Sequence, residues 1–333
     1  MRRPVVCILC DTASLEEGIK RICLPVASKV TSIDPLNITD SDKTLLNEAE
    51  VIISDPHFAS LWLQGKPNLK WVQGTWAGIE NVKKLITDDS KVPAFQYSRV
   101  RGIFGQPIAE YVVSYIIAEE RKFKWATEVQ QTCTWSVELA EHIFNESRTL
   151  DSLSIGILGL GEIGNKVAEM CKACGMRVWT LVNRFPPDGN KCTYVDEYRA
   201  ADGIDELLSN CHYVCNILPS TQLTRGLLDN EKFKACSSKR SVFINVGRGD
   251  ICTEDSILQA LREKWIGAAI LDVLPTEPLP LDSLLWKHPQ VTITPHVAAG
   301  PLIPKTVEFI AKNLQNYIHD KPLEYVIDWS KSY

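Results

Sequence analysis

Three polar residues of complementary chemistry each follow a short apolar run in the second half of the chain. Arg248 comes after SVFINV, Glu277 comes shortly after AAILDVL, and His296 comes after VTITP. If these runs are parallel strands, their carboxyl ends meet at one edge of a sheet, where open α/β sheets bind ligands. A cation, a carboxylate and an imidazole at that edge could bind a small anion and protonate it.

A polar residue at a strand end is, taken alone, often only a cap or a surface charge. The three residues stand downstream of a glycine-rich turn with the spacing Gly-x-Gly-x-x-Gly. That spacing is weak by itself, since glycines also mark ordinary turns and close packing. The combination favours a functional site over the simpler interpretation of each part.

The surroundings of the glycine turn are those of a dinucleotide site. Residues 153–158 (LSIGIL) predict a buried strand, an apolar stripe at helical spacing follows, and residues 177–182 (RVWTLV) predict a second strand. Free N–H groups and the dipole at the start of the helix favour a pyrophosphate. The residues predicted to contact the cofactor at this turn are Gly159, Leu160, Gly161, Glu162, Ile163 and Gly164.

The end of the second predicted strand bears on which dinucleotide binds. An NAD site usually has an Asp or Glu there to hold the ribose hydroxyls, whereas TLVNRFPP contains no carboxylate. Asn183 and Arg184 stand in its place, and a guanidinium can pair with a 2′-phosphate. The alternative is that Arg184 is a solvated loop charge. The pattern favours NADP(H), with NAD(H) as the other possibility.

Three segments resemble the signature blocks of the D-isomer-specific 2-hydroxyacid dehydrogenases, most closely the glyoxylate/hydroxypyruvate reductase A branch. They are NVGRGD (245–250), LDVLPTEPLP (271–280) and LWKHPQVTITPHVAA (285–299). The likeness runs from about Trp71 to the C-terminus and weakens before it. The resemblance implies NAD(P)H-dependent reduction of small 2-oxo acids, such as glyoxylate or hydroxypyruvate, to D-2-hydroxy acids.

The resemblance also implies a role for each of the three polar residues. Arg248 would anchor the substrate, Glu277 would be the carboxylate of a His-Glu pair, and His296 would donate the proton. A histidine suits this role because its ordinary pKa, about 6.5, lies near working pH, and a carboxylate on its far ring nitrogen raises that pKa. The loop whose backbone N–H groups would hold the substrate carboxylate is Trp76, Ala77, Gly78 and Ile79.

Further cofactor contacts are predicted at other strand ends: Leu218, Pro219, Val246, Gly247 and Asp272. Asp272 is expected to face the nicotinamide side, with a helix or loop cap as the alternative. Two residues depart from the family pattern and leave the substrate open. Trp76 stands where a smaller residue is expected, and Leu302 stands where the related branch carries a basic residue.

Length and pattern predict two domains, both α/β with doubly wound parallel sheets. We expect a smaller flavodoxin-like substrate domain, discontinuous over residues 1–105 and 297–333, because in the family the C-terminal helical tail returns to the first domain. A Rossmann coenzyme domain over residues 106–296 would be inserted in it. It would begin with a helix over residues 107–124. Residues 125–150 show little periodicity, which suits either a loop lid or the arm of a homodimer.

Composition excludes several other classes of protein. The net charge of −5 and the lack of a long basic run argue against nucleic acid as the main partner. No apolar stretch approaches the roughly 18 residues that a membrane span needs. The 11 cysteines are odd in number and scattered, which predicts reduced thiols in a cytoplasmic protein and no metal site.

Two classes of function remain open. The first is the 2-oxo acid reductase. The second is a dinucleotide-sensing binding protein, since the transcriptional co-repressors that resemble these dehydrogenases keep a similar catalytic trio and act through protein contacts. Turnover of reduced cofactor with a 2-oxo acid discriminates between the two.

Overall fold

The structure is a computed structural model, and it describes residues 2–63, 65–86, 92–135, 137, 140–141, 145, 147–187, 189–300 and 302–329. Within these ranges the strands are β1 (Val5–Leu9), β2 (Lys29–Ser32), β3 (Val51–Ser54), β4 (Trp71–Gly74), β5 (Gln96–Ser98), β6 (Ser154–Leu158), β7 (Arg177–Leu181), β8 (Glu197–Arg199), β9 (Tyr213–Asn216), β10 (Ser241–Asn245), β11 (Ile266–Leu271) and β12 (Val291–Ile293).

The helices in the same ranges are α1 (Ala13–Cys23), α2 (Asp40–Glu48), α3 (Glu80–Lys83), α4 (Gly105–Glu120), α5 (Phe123–Gln131), α6 (Glu162–Ala173), α7 (Ile204–Asn210), α8 (Glu254–Arg262) and α9 (Ile303–Ile318). None of these helices has the length and apolar content that a membrane span requires. The chain divides into two compact units, residues 1–103 with 301–333 and residues 104–300.

The first unit is built on a five-stranded parallel sheet of order β2-β1-β3-β4-β5, which is the flavodoxin-like order. One face of the sheet is covered by α1 and α9, whose buried residues include Ile19 and Ile310. The other face carries a second apolar cluster around Trp62 and Tyr97. The tail helix therefore completes the core of this unit, as its apolar spacing allows.

The second unit is built on a seven-stranded parallel sheet of order β12-β11-β10-β9-β6-β7-β8. The chain starts at the central β6, runs outward to β8, and returns to β9 on the other side of β6. The crevice beside β6 and β9 is therefore the topological switch point, where open α/β sheets bind ligands. The two parallel sheets confirm the predicted fold class.

The structure corrects the prediction for residues 107–150. The first helix of the second unit ends at Glu120, not at residue 124, because Lys122 adopts a left-handed φ of 54°. A separate helix, α5, then runs over Phe123–Gln131, most of it in the segment 125–150 where the sequence showed little periodicity. Its periodicity is hard to detect because none of its nine residues is buried, so no apolar stripe marks a core-facing side.

The cysteines belong mainly to the apolar cores. All 11 are free, and eight of them are buried. Cys7 packs in one cluster of the first unit and Cys10 in the other, on opposite faces of the sheet. Free cysteine behaves here as a small apolar side chain.

Candidate active site

The glycine turn has the geometry that a bound pyrophosphate requires. Gly159 follows β6 with a φ of 103°, which only glycine adopts at little cost. A Cβ on Gly164 would lie 2.1 Å from the carbonyl oxygen of Gly159, so the third glycine lets α6 pack against the strand. A Cβ on Gly161 would meet nothing within 4 Å. The middle glycine therefore borders open space at the N-terminus of a 12-residue helix, where a phosphate fits.

Residues after the neighbouring strands β9 and β10 lie beside this turn. The side chain of Leu218 would be 3.1 Å from a Cβ on Gly159, and the carbonyl oxygen of Leu218 would be 2.8 Å from a Cβ on Gly247. These residues therefore surround the predicted cofactor site on the β9 side. The cofactor contacts of Leu218, Pro219, Val246 and Gly247 stay predictions.

Two buried asparagines that the sequence analysis did not single out hold these strand ends together. Asn216 donates to the side-chain oxygen of Asn245 at 2.8 Å and accepts from the N–H of Leu218 at 3.1 Å. Asn245 donates to the carbonyl oxygen of Arg248 at 3.2 Å. The signal was present in the sequence, because each asparagine interrupts an apolar run at its carboxyl end.

On the other side of β6, the end of β7 carries the residues predicted to choose the cofactor. Val182 donates its N–H to the carbonyl oxygen of Arg199, and Asn183 and Arg184 follow, both exposed. Exposed polar side chains next to the strand of the glycine turn can reach the adenosine end of a dinucleotide.

Arg248 follows β10 after Val246 and Gly247, and local packing fixes its backbone. A Cβ on Gly249 would come within 2.0 Å of the carbonyl group of Leu274, so only glycine allows the turn after Arg248 to approach β11 this closely. The Arg248 guanidinium donates to the carbonyl oxygen of Gly247 at 2.8 Å and is half-buried.

His296 and Glu277 meet and form the pair that the family resemblance implies. His296 Nδ1 lies 2.8 Å from Glu277 Oε2, and Glu277 Oε1 accepts the N–H of Leu274 at 2.9 Å. The hydrogen bond to Glu277 raises the pKa of His296 above its ordinary value, against the opposing effects of burial and of Arg248. Burial alone would raise the pKa of Glu277, but the hydrogen bonds from His296 and Leu274 outweigh it and hold that pKa below its ordinary value.

The backbone of His296 is in the left-handed region, with a φ of 54°, which few residues other than glycine adopt. Asp272 supports this turn. The His296 N–H donates to the carbonyl oxygen of Asp272 at 2.9 Å. The Asp272 carboxylate accepts the hydroxyl of Thr294 at 2.6 Å and the N–H groups of Val297 and Ala298 at 2.8 and 2.9 Å.

Asp272 therefore has the structural role that the sequence left as an alternative. Its side chain is only 3% exposed, and its oxygens accept hydrogen bonds from the segment on both sides of His296. A buried carboxylate that accepts three hydrogen bonds from one loop holds that loop in a single conformation. A contact of Asp272 with the nicotinamide stays a prediction.

The predicted substrate loop, Trp76 to Ile79, lies in the first unit between β4 and α3. Trp76 is 40% exposed, and the carbonyl oxygen of Ala77 accepts from the Arg99 guanidinium at 3.2 Å. A loop that follows the carboxyl end of a parallel strand is in the part of an α/β domain where ligands bind.

One group of potential metal ligands occurs in the described part of the chain, formed by Asp11, Asp55 and His57. The two oxygens of Asp55 already accept the N–H of Asp11, the hydroxyl of Thr75 and the indole N–H of Trp76. Because these three hydrogen bonds use most of the acceptor capacity of the buried Asp55 carboxyl group, we assign no metal to this group.

The chain is similar to known proteins of one enzyme family. Residues 113–298 match the family model described as D-isomer specific 2-hydroxyacid dehydrogenase, NAD binding domain. A protein of Serratia proteamaculans named glyoxylate/hydroxypyruvate reductase A is 38% identical over 215 residues, which are 63% of this chain and 63% of that protein.

Solved structures extend the likeness to the whole chain. A D-isomer specific 2-hydroxyacid dehydrogenase family protein from Aeromonas salmonicida superposes with a TM-score of 0.82 at 28% identity, covering 97% of this chain and 98% of the other. A probable 2-hydroxyacid dehydrogenase from Rhizobium etli, crystallised with NADP, HEPES and L(+)-tartaric acid, gives a TM-score of 0.77 at 26% identity and covers 100% of both chains. The chain belongs to the D-isomer specific 2-hydroxyacid dehydrogenase family.

Proposed function

We propose that this protein reduces small 2-oxo acids, with glyoxylate and hydroxypyruvate as the first candidates, to 2-hydroxy acids with NADPH, and that the product has the D configuration where it is chiral. The observation that carries the proposal is the 2.8 Å pair of His296 and Glu277. With Nδ1 facing the carboxylate, the Nε2 edge of the exposed ring is the side that can donate a proton to a substrate. The raised pKa of His296 increases the fraction of the protein that carries this proton at a given pH.

Different residues would bind the substrate, stabilise the proton donor and transfer the proton. Bound NADPH would supply the hydride to the carbonyl carbon. The carbonyl π electrons then go to the oxygen, and His296 gives that oxygen the proton that completes the hydroxyl group. Glu277 stabilises the imidazolium before the transfer. Arg248 presents a planar guanidinium to the substrate, and the N–H groups of the Trp76–Ile79 loop bind the substrate carboxylate.

NADP(H) is the proposed cofactor. Asn183 and Arg184 occupy the end of β7, where an acidic residue would repel a 2′-phosphate, and both are exposed. The Rhizobium relative was crystallised with NADP, which supports the same choice. Open space at Gly161 supports a pyrophosphate at the glycine turn.

We also propose that the protein works as a homodimer. Helix α5 buries none of its side chains within this chain, and Trp135 beyond it is 99% exposed. A second copy could cover these apolar groups, since exposed aromatic side chains are enriched at interfaces. Sedimentation of the wild type against Phe123→Ser with Trp135→Ser tests this, because loss of a dimer is expected in the variant only. A cytoplasmic location stays a prediction from the cysteine pattern.

The deciding experiment is a substrate panel followed by the loss of absorbance of the reduced cofactor. Purified protein is given NADPH or NADH with glyoxylate, hydroxypyruvate and larger 2-oxo acids, and the chirality of the product from hydroxypyruvate is determined. We expect turnover with NADPH and a D-product. If no 2-oxo acid is reduced while the dinucleotide still binds, the proposal is wrong, and a dinucleotide-sensing binding protein becomes the better description.

A further inference from the structure

A buried aspartate gathers three strand ends at the carboxyl edge of the first unit's sheet. Asp55 follows β3 directly and is 1% exposed. Its Oδ2 accepts the N–H of Asp11, which follows β1, at 3.0 Å. Its Oδ1 accepts the hydroxyl of Thr75 and, at 3.2 Å, the indole N–H of Trp76, both of which follow β4. One carboxylate thus joins the segments after three adjacent strands.

The donors to Asp55 are neutral groups, although the carboxylate is buried. Burial raises the pKa of Asp55 above its ordinary value and the nearby Asp11 carboxylate adds to the rise, while the hydrogen bonds from Thr75 and from the Asp11 backbone oppose it without cancelling it. The indole of Trp76 and the hydroxyl of Thr75 share one oxygen of this buried carboxyl group, so the indole is held in one orientation.

The loop that begins at Trp76 is also held from the opposite side. Arg99, which follows β5, donates to the carbonyl oxygen of Ala77 at 3.2 Å. The N–H of Thr75 donates to the carbonyl oxygen of Ser54 at 3.1 Å. Because β4 lies between β3 and β5, the loop after β4 is attached to the ends of both neighbouring strands.

We propose that Asp55 is a positioning residue for substrate binding, which acts by holding the indole of Trp76 and thereby the loop from Trp76 to Ile79. The inference rests on the function proposed above, in which this loop binds the carboxylate of a 2-oxo acid. Backbone N–H groups bind a carboxylate well only when they are already oriented toward it. Asp55 supplies that orientation and does not touch the reacting atoms.

The test uses three variants with glyoxylate as the probe: Trp76→Phe, Asp55→Ala and the double substitution. Trp76→Phe keeps an aromatic ring and removes the N–H, and it decides the question alone if Asp55→Ala does not fold. In each single variant we expect the KM for glyoxylate to rise by about tenfold while kcat stays within about twofold, because the lost interaction is made equally in the ground and transition states. The KM for NADPH and the pH profile should not change.

The double variant distinguishes positioning from independent effects. If Asp55 acts through Trp76, Trp76→Phe has little further effect on KM once Asp55 is Ala, so the two effects are not additive. The matched control is Trp62→Phe. The fully buried Trp62 in the same unit donates its indole N–H to the Ser54 hydroxyl at 3.0 Å. This control is expected to lower Tm and to leave the KM for glyoxylate unchanged.

The outcomes separate this inference from the function on which it rests. If the wild type reduces glyoxylate but Trp76→Phe leaves KM unchanged, or if the two single effects simply add, Asp55 is not a positioning residue. The same conclusion follows if kcat falls as much as KM rises. If the wild type reduces no 2-oxo acid, the proposed function fails and this inference fails with it.

Discussion

Two buried aspartates, one in each unit, directly follow a parallel strand and support different kinds of residue. Asp55 follows β3 of the first sheet and Asp272 follows β11 of the second, and they are 1% and 3% exposed. Each carboxylate accepts three hydrogen bonds, including bonds from the segment that follows the adjacent strand. A strand-end aspartate is thus used twice to fix a loop at the edge where an α/β sheet binds ligands.

The difference lies in what the donors are. Asp272 accepts the backbone N–H groups of Val297 and Ala298, so it fixes the main chain beside His296. From the loop after β4, Asp55 accepts two side-chain donors, the Thr75 hydroxyl and the Trp76 indole, so it fixes side chains there. If His296 transfers a proton and the Trp76 loop only binds, disturbing the first loop should lower kcat and disturbing the second should raise KM.

The largest expected effect is on kcat when His296, which lies in the turn that Asp272 supports, is replaced. In His296→Ala, kcat should fall by roughly 10² to 10⁴, the usual range for a lost general acid, while the Kd for NADPH is largely unchanged. His319→Ala is the control, because His319 is exposed and bonds only the carbonyl oxygen of Gln315 among the contacts described for it. Steady-state kinetics with glyoxylate and cofactor titration measure both. If His296→Ala had a near wild-type kcat, His296 would not be the proton donor, and Asp272 would not support a catalytic residue.

Asp272→Asn tests the support itself and should be the next largest effect. An asparagine has one acceptor oxygen, so its amide would face the N–H of Val297 or Ala298 and leave that donor unpaired, at a cost of about 1 to 3 kcal/mol. We expect a lower Tm and a kcat reduced by about ten- to a hundredfold, since small displacements of a catalytic group cost that much.

The comparison predicts opposite kinetic signatures for the two aspartates. Asp55→Ala should change mainly KM, and Asp272→Asn should change mainly kcat. If Asp272→Asn raised KM for glyoxylate and left kcat intact, the two carboxylates would have the same function, and the distinction between a main-chain and a side-chain support would be wrong.

The sequence predicted the features that depend on a single strand or on the turn that follows it. The apolar runs predicted both sheets and brought Glu277 and His296 to one sheet edge, and the family resemblance implied the pair that the structure places at 2.8 Å. The glycine spacing predicted the turn after β6, whose φ of 103° at Gly159 fits that prediction. These features depend on local periodicity and on the parallel order of the strands.

The hydrogen bonds by which Asp55 and Asp272 hold loops could not be predicted in the same way, because they join segments that are distant in the sequence. Asp55 and Trp76 are 21 residues apart, and Asp272 and Ala298 are 26 apart. Asp55 had no role in the sequence analysis, since one aspartate after an apolar run is also what an ordinary turn contains. Only the register of neighbouring strands shows which donors reach each carboxylate.

Glu277→Gln tests how the His296 proton is controlled, and its expected effect is a smaller one, on the pH profile. The Glu277 charge raises the pKa of His296, so its removal should lower that pKa. Reduction requires the protonated ring, and activity is lost as pH rises through the pKa of His296. The alkaline limb of kcat/KM should therefore move to lower pH.

The control for the loss of one negative charge is Glu231→Gln, at an ion pair with Lys234 whose two side chains are 65% and 63% exposed. Its profile should match that of the wild type. If the limb in Glu277→Gln stayed in place although the variant is folded, the pair seen at 2.8 Å would not govern the proton donor.

The smallest expected effect is on the choice between NADPH and NADH. It concerns the end of β7, which has no aspartate. After β7 the chain places Asn183 and Arg184, both exposed, at the point where a carboxylate would favour NAD(H). If Arg184 pairs with the 2′-phosphate, kcat/KM should favour NADPH by about tenfold, because a hydrogen bond to a charged group is worth about 1.5 to 3 kcal/mol and solvent exposure reduces that value. Arg184→Ala should remove most of this preference by weakening NADPH alone.

Salt and a matched variant complete this last test. The preference should shrink as ionic strength rises, since an exposed ion pair is screened within about 10 Å at 0.1 M salt. Arg262→Ala, which removes an exposed arginine paired with Glu263 in the same unit, should leave the ratio of the two cofactors unchanged. Equal kcat/KM for NADH and NADPH in the wild type would show that Arg184 is a solvated loop charge. The end of β7 would then differ from the ends of β3 and β11 in having no side chain that fixes a loop or selects a ligand.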